Sequence, residues 1–312
     1  FPIISNTDLI SDSFNPIYEP WGARVVFYGW ENGNYEIFSI GSGGNNTPVN
    51  LSRHPGNDFN PKYCADGSKI VFESWRDGNC ELYIMDRDGL NTTRLTYNNG
   101  TDEDFNIATA TLGMDKIIYV STISGNQEVY SINEDGSQVE NLTSHPANQY
   151  DPDISLDGSQ IAYIGDNNGN IDIYWENMLT GDSLNITNNI SRERNPRFVM
   201  NGFNPFGNDG QYLIYESDKD GTWSIYFQKL PSFNDNIEGF FEANTPINFL
   251  NKNNSNQSNP NFANIILSDV EGIYMVFESD EGLSNSIYIV DNFGISPICN
   301  PSGLVSDHEG DD

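Results

Sequence analysis

The chain has 312 residues, of which 45 are acidic and 14 basic, a formal net charge of −31. Such a surface repels nucleic acid and anionic membrane and attracts cations or basic partners, although adaptation to a salty extracellular medium accounts for the same charge. No apolar run reaches the roughly 18–20 residues of a membrane helix, and three cysteines, Cys64, Cys80 and Cys299, are too few and odd in number for a disulfide framework.

The chain starts at Phe1 rather than Met, as expected of a secreted or periplasmic protein that has lost its signal, or of a trimmed chain. Asn-x-Ser/Thr triplets at Asn50, Asn91, Asn141, Asn185 and Asn189 matter only in a glycosylating host. The cysteines read as small buried hydrophobes.

In chain order, PIIS (2–5) precedes the first of a series of similar units. Segments opening on Asn or Asp, usually followed by Pro, start at Asn15, Asn60, Asn106, Asp151, Asn195 and Asn259, at spacings of 45, 46, 45, 44 and 64 residues. A period of about 40–50 residues signals a propeller or a solenoid. In the second unit FNPKYC is a first strand, ADGS a turn, KIVFESW a second strand, RDGN a turn, ELYIMD a third strand, DRDG a turn and TTRLT the last strand. The fourth unit repeats the order as YDPDIS, LDGS, QIAYIGD, NNGN, IDIYWEN, LTGD and SLNIT. Asp-Gly and Asn-Gly between alternating apolar runs are hairpin signals. Four antiparallel strands per unit and no helical period predict one all-β domain over residues 1–312, a six-bladed β-propeller. The third unit lacks the Pro. The fifth carries insertions at NGFNPFGNDG and at LPSFNDNIEGFFEANTPINF, whose Phe233, Phe240 and Phe241 fit either a contact patch or a self-packed flap. SPICN (296–300) falls where a sixth unit needs its fourth strand, so it competes with PIIS to close the ring. A surplus strand permits donation to a neighbouring molecule, and the acidic tail 302–312 requires something to hold it.

The pattern Asn-Pro…Asp-Gly…Ile-Ala/Val-Phe/Tyr…Asp-Gly-Asn…Glu-Ile/Leu-Tyr…Asp-Gly…Leu-Thr resembles the WD-like repeat of TolB-type β-propellers, from about Asn15 to Asn300. The resemblance implies a propeller that serves as a binding module or gates a peptidase, and it leaves function open.

Strand direction places Asn15, Asn60, Asn106, Asp151, Asn195 and Asn259 around one channel mouth. Glu31, Asp77, Asp218, Asp220, Asp280 and Glu281 lie in turns outside them, and Glu36, Glu81, Glu128 and Asp172 open the third strands. An oxygen-rich Asn/Asp ring suits calcium, with Asp151 as its charged ligand; the competing reading is hydrogen-bonded turns. DRDG, NEDG and DNFG read as hairpin turns rather than calcium loops. Glu73, Trp75, Arg76 and Trp30 stand near the ring, the two tryptophans suited either to packing between blades or to stacking on sugar. His54 and His145 hold matching places, and His308 is in the tail. No nucleophile or metal-protease motif is present. The expectation is a non-enzymatic platform for a protein or glycan partner. The alternatives are a self-assembling extracellular subunit and a metal-dependent hydrolase or lyase using Asp151.

Overall fold

The structure is a computed structural model. It describes residues 11–20, 22–42, 47–108, 115–167, 169–199, 211–231, 246–248, 257–267, 270–279, 286–291 and 294–299, with side chains between 14 and 231 and at 246. The calls on PIIS, Phe233, Phe240, Phe241, His308, the acidic tail and most of both insertions lie outside these residues.

Every regular element among the described residues is a strand, and all belong to six four-stranded sheets. The first holds β1 (Ser11–Tyr18), β2 (Arg24–Glu31), β3 (Asn34–Gly41) and β4 (Val49–Asn50), and the second β5 (Asp58–Tyr63), β6 (Lys69–Ser74), β7 (Glu81–Asp86) and β8 (Thr93–Arg94). The third holds β9 (Asp102–Ala108), β10 (Lys116–Ser121), β11 (Glu128–Asn133) and β12 (Glu140–Asn141). The fourth is β13 (Asn148–Ile154), β14 (Gln160–Asn167), β15 (Asn170–Asn177) and β16 (Asp182–Asn185). The fifth is β17 (Glu193–Phe198), β18 (Tyr212–Ser217), β19 (Ser224–Lys229) and β20 (Ile247–Asn248). The sixth is β21 (Gln257–Leu267), β22 (Val270–Ser279), β23 (Ser286–Asp291) and β24 (Gly294–Cys299), so the SPICN segment does supply a fourth strand. The last strand of most sheets is shorter than the sequence implies: TTRLT contributes only Thr93–Arg94. Two compact units make up the chain, Phe1–Gln160 and Ile161–Asp312.

The core of the first unit lies between successive sheets. Val26, Ile37, Phe72 and Tyr83 belong to one buried cluster joining sheets one and two, and Val71, Leu82, Phe105 and Tyr119 to another joining sheets two and three. The recurring Phe/Tyr positions of the repeat meet across the second and third strands. Phe27–Phe38, Phe72–Tyr83 and Tyr119–Tyr130 have ring centroids 5.7–5.8 Å apart. Tyr163–Tyr174 and Tyr215–Tyr226 pair the same way in the second unit. Cross-strand aromatic pairs of this kind stabilise a sheet beyond the area they bury. Cys64 and Cys80 are buried and unpaired, as small core hydrophobes are.

The Asp-Gly motifs are turns because glycine supplies the left-handed backbone. Gly78 (φ 98°) has open space around it, whereas a Cβ on Gly89 (φ 84°) would stand 2.7 Å from the Leu51 carbonyl oxygen. Gly78→Ala therefore costs only backbone strain, about 1–2 kcal/mol. Gly89→Ala costs more, because Leu51 must also shift. The difference is read from urea-denaturation midpoints.

Candidate functional site

The site is built on a bulge. In each of the first, second, third, fifth and sixth sheets the first strand slips register by one residue, at Phe14/Ile17, Phe59/Lys62, Glu103/Asn106, Arg194/Arg197 and Ser258/Asn261. Within the slip Asn15, Asn60, Asp104 and Asn195 take the left-handed conformation with φ of 48–52°, as Asp151 does in the fourth sheet. Asn and Asp are the non-glycine residues that adopt it most readily. A proline following them withholds no needed donor, since a bulge leaves a residue unpaired.

This corrects the alignment of the third repeat. Its bulge residue is Asp104, followed by Phe105, and Asn106 stands two positions further along the strand. Asn106 accepts a hydrogen bond from Lys62 Nζ (2.6 Å) and donates to the Pro152 carbonyl (3.0 Å), so it ties neighbouring strands together. The Asn259 bulge lies in β21, whose side chains are outside the described set.

The bulge residues of the first unit are linked in series. Asn15 Nδ2 donates to Asn60 Oδ1 (2.7 Å), and Asn60 Nδ2 donates to Glu73 Oε2 (2.8 Å). The Asp104 amide donates to Glu73 Oε1 (2.8 Å), and the Asp151 amide to Asp104 Oδ2 (2.8 Å). In the second unit Asn195 Nδ2 donates to Glu216 Oε1 (2.6 Å), whose other oxygen accepts from Arg194 Nε (2.7 Å). Glu216 occupies in β18 the place Glu73 occupies in β6.

The third-strand carboxylates form a second, more deeply buried series. Thr96 Oγ1 accepts the Leu82 amide and donates to Glu81 Oε2 (2.6 Å). Glu81 Oε1 also takes Asn79 Nδ2 (2.6 Å) and Arg94 (2.6 Å). Ser52 and Asn34 serve Glu36, Thr143 and Asn126 serve Glu128, and Thr187 and Asn170 serve Asp172 in the same way. The amides of His54 and His145 cap Glu36 and Glu128, which explains the matching places of these histidines. Asn34, Asn79 and Asn126 reach on to carbonyls of the next loop, including Gly56, Gly100 and Ala147. These carboxylates are frame, not surface.

Of the other expected contacts, Arg76 spans Asp58 (3.0 Å) and lies 4.4 Å over the Tyr83 ring. Asp77 receives the Tyr83 hydroxyl and Arg94. Asp218 pairs with Arg192 at 2.8 Å, and Asp220 accepts the Tyr226 hydroxyl at 2.6 Å. Trp75 is exposed beside Arg76, at the end of β6. Among the described residues, three His/Cys/Asp/Glu ligand atoms converge at Cys64, Asp115 and Glu134, rather than at Asp151. There burial, then the neighbouring carboxylates, holds the Cys64 thiol protonated, and Asp115 takes the Ala65 amide at 2.6 Å.

Sequence reasoning missed a cluster of rings on the first sheet. Tyr28 sits where Glu73 stands in the second sheet. It stacks on Phe14 at 5.4 Å and meets Tyr35 and Phe59 edge-on at 5.8 and 5.5 Å. Trp30 meets Tyr35 edge-on at 5.0 Å. Phe14 is 43 % and Trp30 38 % exposed, so the cluster opens to solvent. The signal available was Tyr28, an aromatic residue at the repeat position held elsewhere by Glu73, Glu216 and Glu278.

Residues 4–121 match the family model of the TolB beta propeller domain. The solved structure of a protein described as TolB from Agrobacterium tumefaciens is 16% identical, with a TM-score of 0.55, over 81% of this chain and 84% of that one. TolB from Acinetobacter baumannii is 20% identical, TM-score 0.50, over 70% of this chain and 52% of that one. A puromycin-hydrolyzing peptidase of Mycobacterium tuberculosis is 15% identical, TM-score 0.64, over 90% and 46%. This chain thus spans about half the length of the latter two. No curated protein matches the sequence. The fold is that of an all-β, TolB-like propeller. Among the described residues no helix is long and apolar enough to cross a membrane.

Two tests follow. Glu81→Ala takes the buried acceptor from Thr96 and Asn79, leaves Arg94 paired with Asp77 alone, and costs about 3–5 kcal/mol, as breaking a buried ion pair does, whereas Glu140→Ala, on an exposed strand end, stays within about 0.5 kcal/mol. Burial pushes the Glu73 carboxyl from 4.5 up to about 7, against the pull of its bonds from Asp104 and Asn60. Between those pH values the folded chain keeps a proton that the unfolded chain has released, so stability falls as pH rises through the window. In Glu73→Gln the fall is shallower between pH 4.5 and 7, measured by denaturant titration at each pH.

Proposed function

We propose that the chain is an exported, non-catalytic binding platform that engages a protein or glycan partner through the end of its sheets bearing the bulges. The observation that carries this reading is the aromatic cluster of Phe14, Tyr28, Trp30, Tyr35 and Phe59, open to solvent beside the Asn15–Asn60 pair. Half-exposed rings rimmed by polar groups mark contact surfaces. The TolB-like fold supports a binding or scaffold role.

One observation favours a catalytic reading. A carboxyl raised to about 7, as in Glu73, is poised for proton transfer at neutral pH, and a peptidase shares the fold. Against it, both Glu73 oxygens already accept structural hydrogen bonds and the side chain is buried.

The test is a panel of defined peptides and oligosaccharides presented to the immobilised chain. The Phe14→Ala/Trp30→Ala double variant, folded by circular dichroism, loses the ligands that the unmodified chain retains. Leu90→Ala, an exposed change in the β7–β8 turn, keeps them. Retention by the double variant, or turnover of a ligand that stops with Glu73→Gln, contradicts the proposal.

A further inference from the structure

The internal repeat offers a control for the aromatic cluster. Arg194, Glu216 and Trp223 of the fifth sheet hold the places of Phe14, Tyr28 and Tyr35 in the first. Arg194 precedes the left-handed Asn195 as Phe14 precedes Asn15, and Trp223 precedes β19 at the register of Tyr35 in β3. In the fifth sheet the ring carries cations of its own: Arg194 lies 4.0 Å and Arg192 5.5 Å from the Trp223 centroid. Elsewhere the chain does the same, with Arg76 4.4 Å over Tyr83, Arg94 4.8 Å over Tyr97 and Lys219 3.9 Å over Tyr226. Among the described residues no cation lies over the four rings of the first sheet or over Phe59 of the second, although together they form the largest ring cluster there.

The surroundings select for positive charge. The chain carries −31 overall, and the Glu73 carboxylate lies close enough to raise the Tyr28 hydroxyl pKa, after burial and Tyr35. A guanidinium stacks on a ring face and loses little on desolvation, whereas an ammonium is held more tightly by water. An acidic sugar is repelled by the same field.

We propose that the first-sheet cluster is a docking site for arginine side chains of a basic peptide segment, Phe14 and Trp30 supplying the exposed faces. This rests on the platform reading and names the partner chemistry of its central surface.

The probe is a flexible Gly/Ser peptide bearing several arginines, with lysine and citrulline versions of the same length, titrated against the full chain by tryptophan fluorescence and calorimetry at physiological salt. Trp30→Leu and Phe14→Leu keep apolar bulk but remove the ring face, so folding is preserved. The expected result is that the arginine peptide binds about tenfold tighter than the lysine peptide, the citrulline peptide does not bind, and either variant removes the arginine preference. Equal binding of the arginine and lysine peptides, unchanged in both variants, reduces the effect to bulk charge and overturns the proposal. Binding of a neutral oligosaccharide that depends on Trp30, with no arginine preference, overturns the arginine assignment while leaving the platform intact. If no peptide or oligosaccharide binds at the rings, both readings fall.

Discussion

The structure depends on a carboxylate buried at the start of the third strand. Glu36, Glu81, Glu128 and Asp172 each meet a Ser or Thr hydroxyl that also accepts an amide of that same strand. The fourth strand is only two residues long in several sheets, too short to hold itself by backbone pairing alone. The hydroxyl fastens it to the third strand. The carboxylate then fastens the following loop, through the His54 and His145 amides and through Asn34, Asn79 and Asn126. One charged group thus couples a sheet's last strand to the approach of the next sheet. A buried carboxylate left unsatisfied would cost several kcal/mol, so the coupling is strict.

This frame decides what remains for function. A chain with 45 acidic residues is rich in titratable groups, yet its best-placed acids are consumed. Glu73 and Glu216 hold bulges, Asp58 holds Arg76, and Asp102 holds Asn98 (2.6 Å). What the bulge end of the first sheet presents instead is a set of rings. The first repeat carries Tyr28 where the second and fifth carry Glu73 and Glu216, and with Phe14 and Phe59 at the matching places beside it, an open aromatic surface stands where those sheets have a hydrogen-bonded carboxylate. That difference is the departure from the repeat that links frame to recognition.

Much of the frame was legible. Asp-Gly turns, Phe/Tyr alternation and the Leu-Thr ending located every strand set, because turn chemistry and cross-strand pairing are local. The Leu-Thr signature marks the hydroxyl that the buried carboxylate needs, although its partner was invisible until Glu81 and Thr96 came together across 15 residues. The third bulge was misplaced at Asn106 because Phe105–Asn106 repeats the Phe-Asn pair of Phe14–Asn15 and Phe59–Asn60. The physical requirement is the left-handed backbone, which Asp104 meets without a following Pro. The aromatic cluster escaped notice because Phe14, Tyr28, Tyr35 and Phe59 read singly as strand residues. Only register brings them to one end of neighbouring sheets.

The most direct test of the account is carbodiimide footprinting of carboxylates in the folded chain, read residue by residue by mass spectrometry. Glu36, Glu73, Glu81, Glu128, Asp172 and Glu216, all buried, should resist labelling while exposed Glu140 and Asp104 label rapidly. Rapid labelling of Glu73 or Glu81 in the folded chain would show them as accessible groups. The division between an engaged acidic frame and an open aromatic surface would then be wrong.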